Sequence, residues 1–482
     1  MKNTFAPINR IPPEVFTLVP DYWEDNSDDG ALIGLTHVCR GWRELFISRP
    51  SLWTRLDCTH ADKTRAYIER SKTSPLDICL GESDVAFCLE EALLLAVPHF
   101  GRLGTLSVFG CEDLPVLVKH LSCSVPLLSK LEINLACDEH SVLPNTLFNG
   151  DLSSLRELRL VGVVTTLPWR GLSKLTRLNL CHVSGDNILL TQLLDFFESA
   201  PHLRHIRLHD SIPTSSNAPA DRVVSLPHLK DLSIIAQSVH SILLNHLSIP
   251  AGVSLRLEFT YSGKESPIPF YLPNPLDRLH NLSYVTAVNL RLASEQRSVR
   301  LSGPSGELYM VGRWTRGGDK PYDGIGAFLR SLSRFDISRT QWLTVTLYRF
   351  QPSSLPTTGW TIYQTFLSMK DLRTLTLSQC NNLTFILALN PSKNPSKTIL
   401  CPKLEEIILY IERPDQFHVD ELLSMAKERA WGGVKLSAIM IVGMEALAPT
   451  KEVFQLRKHV SRVEYRFDDA PPDWDTLPNK AV

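Results

Sequence analysis

The chain has 482 residues, 43% hydrophobic and 21% charged, and its 50 Lys and Arg against 51 Asp and Glu leave a formal charge of -1. That length exceeds one ordinary core, and the composition holds enough apolar surface to offset ordering entropy, which excludes a disordered chain. The balanced charge gives no global field to draw in nucleic acid or an anionic membrane, so neither is expected as a partner.

Residues 1–16 carry Asn9, Arg10 and prolines where a secretory signal needs an unbroken apolar run. The most apolar later stretches, 89–97 and 436–448, fall short of the roughly 18 residues that cross a bilayer. Ten cysteines, none paired as CxxC, suit reduced thiols in cytoplasm or nucleus rather than a secreted disulfide framework.

Ile11-Pro12-Pro13-Glu14-Val15-Phe16-Thr17-Leu18-Val19 opens with prolines suited to a first helical turn, sets an acid near the positive helix end and stops at Pro20, which predicts a short helix. An acidic connector follows over 21–30. Residues 31–46 place Leu32, Leu35, Val38, Cys39, Trp42, Leu45 and Phe46 at steps of three and four. That spacing predicts one amphipathic helix, with Thr36, His37, Arg40 and Glu44 on its polar side. Pro50 closes the region ahead of Ser51-Leu52-Trp53, which can fold back as an apolar clasp. So small an apolar set buries little alone and needs a partner surface, either a second protein or the rest of the chain.

Ile-Pro-Pro-Glu-Val at 11–15, Val-Cys-Arg-Gly-Trp-Arg-Glu-Leu at 38–45 and Ser-Leu-Trp at 51–53, in that order, resemble the F-box, especially that of the F-box-like proteins abundant in fungi. The resemblance implies a three-helix module over 1–58 that docks on the Skp-type adaptor of a cullin-RING ubiquitin ligase. By that likeness Ile11, Pro12, Pro13, Val15, Phe16, Leu18 and Val19 supply adaptor-facing apolar surface, joined by Leu32, Leu35, Val38, Trp42 and Trp53. The acidic linker at 20–30, with Tyr22 and Trp23, departs from the family's compact apolar turn.

Further on, one spelling recurs: L-x-x-L-x-L, with Ile or Val allowed, beginning at Leu103, Leu128, Leu155, Leu175, Leu203, Leu229, Leu372 and Leu404. Starts lie 20 to 28 residues apart through Leu229 and 32 apart for the last two, close to the leucine-rich period. Cys111 and Cys380 stand where such repeats favour Asn or Cys. Helical partners are predicted at 86–97, 188–199, 239–247, 325–332, 362–369 and 419–430. The expected fold is α/β: the three-helix F-box-like module, then an irregular leucine-rich repeat solenoid over 59–467 coiled as a right-handed αβ superhelix. Its period is lost at about 260–341, where irregular loops are a candidate specificity element. A flexible acidic tail is expected at 468–482.

On such an array the non-leucine strand positions point to the open inner face, and Arg159, Arg177, Asn179, His205, Arg207 and His209 form a locally basic column. That column is a candidate surface for an acidic or phosphorylated target segment, because guanidinium binds oxyanions in bidentate fashion; the plainer alternative is a set of solvated strand positions. Gly312–Lys320 lacks the Lys placement of a phosphate loop, and Gly303-Pro304-Ser305-Gly306 lacks the spacing of a nucleophile elbow. His120 with Cys123, and Cys137 with His140, are isolated zinc half-sites. Sequons at Asn281 and Asn382 read as chance triplets.

No catalytic set, cofactor or metal is therefore expected. The expected function is the substrate-recognition subunit of a Skp/cullin/F-box ubiquitin ligase that brings an unidentified target to degradation by proximity. The alternative is a repeat scaffold whose front helices cap the solenoid.

Overall fold

The computed structural model describes Pro12, Val15 and residues 29–467, with breaks at 59, 82–88, 111–113, 136–141, 145–146, 166–168, 170, 184–188, 212–216, 237–240, 262–271, 274–275, 294–295, 315–328, 330–331, 348–354, 379–382, 412–416 and 444–450. The chain divides into two compact units: Met1–Ile188 with Ser199–Pro201, and Leu189–Glu198 with His202–Val482.

At the front of the first unit, the residues expected to form one helix form two, α1 (Asp29–Val38) and α2 (Arg40–Ile47). Cys39 separates them. Its backbone is extended, with φ -159 and ψ 168, and its Sγ accepts from the Trp42 N–H, so it caps α2. Thr36, expected on the polar side, is buried, and its hydroxyl donates to the Ile33 carbonyl at 2.7 Å. Arg40 and Glu44 do face solvent, joined by an ion pair at 2.7 Å.

Six strands of the first unit, β1 (Arg55–Leu56), β2 (Leu76–Leu80), β3 (Leu103–Phe109), β4 (Lys130–Asn134), β5 (Glu157–Val161) and β6 (Arg177–Cys181), each run parallel to the next. Register sets Leu106, Leu131, Leu158 and Leu178 side by side, and likewise Val108, Ile133, Leu160 and Leu180, all buried. Successive side chains alternate between faces, so the residues between these leucines lie on the opposite side. A tight turn precedes several strands: the N–H groups of Leu128 and Leu155 donate to the carbonyls of Val125 and Leu152, both at 3.0 Å, and that of Leu175 to Leu172 at 2.9 Å. In these copies the first leucine closes a turn and the next two apolar residues fill the core. Parallel strands need a crossover, and Leu89–Ala96 and Leu114–His120 are helices lying within two of them.

In the second unit β7 (His205–His209), β8 (Asp231–Ala236) and β9 (Val253–Tyr261) are again parallel. Then the direction changes. Three strands, β10 (Ala287–Leu292), β11 (Gln296–Gly303) and β12 (Gly306–Trp314), form an antiparallel meander in which β12 lies parallel beside β9, and β10 parallel beside β13 (Trp342–Leu347). The spatial order is β9, β12, β11, β10, β13. Parallel pairing resumes through β14 (Thr374–Ser378), β15 (Glu406–Ile411), β16 (Ala438–Gly443) and β17 (Arg462–Phe467). Helices Leu190–Ser199, Leu355–Ser368, Leu383–Leu389 and Val419–Trp431 supply buried apolar side chains, among them Phe196, Phe366, Phe385 and Leu422.

These observations correct the expected architecture. The fold is mixed α/β, with seventeen principal strands in mostly parallel sheet and eleven α-helices among the described residues, and not a three-helix module followed by a leucine-rich repeat solenoid in a right-handed αβ superhelix. Connector length is one physical reason. Three residues join β10 to β11 and two join β11 to β12, which is too short for a parallel crossover and forces reversal. A second reason is at the front, where the short 3-10 turn Pro50–Trp53 seats Trp53 against Tyr67 of α3 (Ala61–Ser71), so the front helices merge with the unit that follows them. The predicted helix at 11–19, the tail at 468–482, Cys111 and Cys380 lie outside the described residues, apart from Pro12 and Val15, as does most of the predicted helix at 325–332. No described helix is long and apolar enough to cross a membrane.

Candidate functional site

The front helices split their apolar side chains between inside and outside. Trp53 is fully buried: its Nε1 donates to the Phe46 carbonyl at 2.9 Å, its ring meets Tyr67 edge-on at 4.9 Å, and the Arg70 guanidinium lies 4.3 Å over it. It acts as the clasp and offers nothing outward. Leu32 and Phe46 are also buried. Leu35, Trp42 and Leu45 remain half-buried, and Val38 and Val15 are more than half exposed, at 54% and 53%. Pro12 is exposed; Ile11, Pro13, Phe16, Leu18 and Val19 lie outside the described residues.

The basic column expected on the strands is shared between the units, with Arg159, Arg177 and Asn179 in the first and His205, Arg207 and His209 in the second. Register sets acids beside Arg159, Arg177 and His205. Arg159 Nη1 lies 2.9 Å from Glu132 Oε1, Arg177 Nη1 2.9 Å from Glu157 Oε1, and His205 Nδ1 2.6 Å from Asp231 Oδ2. His209 Nε2 is 3.6 Å from Asp210. Asn179 is half-buried and Arg207 exposed. The exposed Arg177–Glu157 pair contributes little to stability, and both arginine pairs offset local charge.

A stronger concentration of charge lies elsewhere in the second unit. The polar faces of β9 through β13 line a cleft of about 540 Å³ that contains Arg256, Arg291, Arg300 and Arg313. Its acids hold most of these arginines in place. Arg300 donates to Glu307 Oε2 from Nη2 at 2.8 Å and from Nε at 3.2 Å, while Ser254 Oγ donates to Glu307 Oε1 at 2.7 Å. Burial pushes the Glu307 pKa up, but the hydrogen bonds from Ser254 and Arg300 outweigh it and hold the carboxyl below its usual range. The group is ionised at neutral pH. Arg256 Nε donates to Glu258 Oε1 at 2.6 Å with its guanidinium 5.4 Å from the Tyr309 ring centre, and Arg313 reaches Glu258 Oε2 at 3.6 Å. Arg291 differs. Its strand neighbours are Ser298 and Thr346, and no acid pairs with it among the described residues.

Behind this face Asn281, fully buried, donates from Nδ2 to the Val253 carbonyl at 3.3 Å and the Glu307 carbonyl at 3.0 Å, tying β9 to β12. Its sequon is therefore part of the packing. Four guanidinium groups with Glu307 in the lining and Glu258 beside it can hold an anion.

No family model matches the chain, and no curated protein matches it either.

The cleft strands lack the repeated leucine spelling, but they carry another signal. Val288, Leu290 and Leu292 alternate with Asn289 and Arg291, and Leu308 and Met310 with Glu307 and Tyr309: the period-two pattern of half-buried strands. Gly303-Pro304-Ser305-Gly306 joins two of these strands as a hairpin turn.

Proposed function

We propose that this chain is a recognition subunit of a Skp/cullin/F-box ubiquitin ligase, acting in cytoplasm or nucleus. The front residues 1–58 dock on the adaptor, and the polar strand faces over 59–467 hold the target. The chain makes and breaks no bond; it supplies proximity between a target and an enzyme carried elsewhere.

The observation that carries this reading is the outward apolar set left on the front helices. Val38 is 54% exposed, with Leu35, Trp42 and Leu45 half-buried, although Phe46 and Trp53 are already satisfied inside. Covering the exposed part of Val38 with a partner contributes at most about 1.5–3 kcal/mol. Ordered fragments like those of the F-box give the partner its identity. Tagged full-length protein should recover a Skp-type adaptor and cullin, and Val38→Lys with Trp42→Ala should abolish that recovery while the protein stays folded. Absence of the adaptor from the wild-type sample, or its full retention by the double variant, defeats the reading.

A second reading, a scaffold whose front helices only cap the structure behind them, draws support from the burial of Trp53 against α3. Under it the double variant changes neither partners nor folding.

A further inference from the structure

We propose that the arginine-lined cleft of the second unit binds a phosphate monoester in its dianionic form. Four arginines against Glu258 and Glu307 leave two positive charges, the match for a phosphoryl group that carries close to two negative charges at neutral pH. A carboxylate would neutralise only one. The guanidinium groups are also preorganised: Arg300 is held by Glu307, and Arg256 is held by Glu258 beside the Tyr309 ring, so binding orders little that is not already ordered.

Arg291 is the decisive side chain. It stands exposed among polar neighbours, Ser298 and Thr346, whose hydroxyls can donate to the same oxyanion, and its own donors are uncommitted to any acid. An arginine fork with hydroxyls beside it suits the tetrahedral oxygens of a phosphoryl group better than a point charge does.

The ester can be carried by a modified side chain of a target protein or by a free small molecule, and both present the same group. The site stands without the adaptor reading; where a target protein carries the ester, it names the modification that the recognition subunit reads.

Full-length protein is titrated calorimetrically with inorganic phosphate, O-phospho-L-serine, a capped phosphoserine peptide, and the same peptide bearing serine or glutamate. The phosphorylated probes should bind at least about tenfold tighter than the glutamate peptide. Arg291→Gln should weaken them by on the order of tenfold, the loss of one charged hydrogen-bonded contact, with the unfolding midpoint unchanged. Equal affinity for phosphoserine and glutamate peptides, no measurable binding of any phosphorylated probe, or undiminished binding by Arg291→Gln combined with Arg313→Gln overturns the proposal. A peptide that binds about tenfold tighter than O-phospho-L-serine marks a modified protein as the source; equal affinities mark a small molecule, and both outcomes sustain the site. Adaptor recovery from the same samples keeps the two ideas apart, because cleft variants leave Val38 and Trp42 intact.

Discussion

Trp53 illustrates what a single residue can and cannot reveal. The Ser-Leu-Trp fragment after Pro50 marks it as an apolar clasp, but sequence cannot say which neighbour covers an apolar ring. In the fold the cover is intramolecular: Phe46 accepts its N–H, Tyr67 meets its edge and Arg70 lies over its face. Trp53→Ala should therefore destabilise the first unit by about 3–5 kcal/mol, as large-to-small changes at fully buried aromatics do. Urea unfolding measures it, and a loss below about 1 kcal/mol would show the clasp to be dispensable. Glu307 offers a residue-scale test of the cleft. Its folded pKa lies below the unfolded value, so its ionised form is favoured by folding. That contribution is present above the ordinary carboxylate pKa and lost as pH falls through the depressed one. Glu307→Gln should cost about 1 kcal/mol near neutral pH and should flatten the acid side of the stability profile. An unchanged profile would mean that Ser254 and Arg300 do not hold the carboxylate in solution.

At the scale of elements, legibility depended on which pattern a segment carries. The strands whose spelling begins at Leu103, Leu128, Leu155 and Leu175 were readable because a turn-closing leucine and two aliphatic core residues repeat in each. The meander was not, because its strands begin without that leading leucine and alternate more plainly. The front helix was misjudged for another reason: Cys39 continues the apolar spacing yet leaves helical geometry, and side-chain periodicity is blind to backbone breaks. The meander rests on two glycines that only structure explains. A Cβ at Gly303 would clash with the Tyr284 carbonyl oxygen, and one at Gly306, at φ +128, would lie 2.6 Å from the Val253 oxygen. Gly303→Ala must displace backbone, so the β11–β12 hairpin should shift and the cleft should lose its ligand. Binding of O-phospho-L-serine at the wild-type level by a folded Gly303→Ala protein would show that the hairpin does not shape the cleft.

Across the whole molecule, a near-neutral composition concealed a strongly charged site, because positions scattered from Arg256 to Arg313 converge only through strand order β9, β12, β11, β10. Composition gave no warning. The same long-range convergence bears on how the two readings of the front helices are separated. Deleting residues 1–58 removes the docking surface, but it also removes Trp53 from Tyr67 and β1 from β2, baring a buried aromatic and a strand edge. The deletion should therefore lower the unfolding temperature and promote aggregation whether or not an adaptor ever binds, so instability of that variant cannot favour the cap. Surface substitution avoids the confusion. Val38→Lys suits the C-terminal end of α1, where a cation is favoured, and touches none of the Trp53 contacts, so its unfolding midpoint should match wild type. Adaptor recovery lost at an unchanged midpoint then isolates docking, whereas partners unchanged at an unchanged midpoint leave the front helices as a cap.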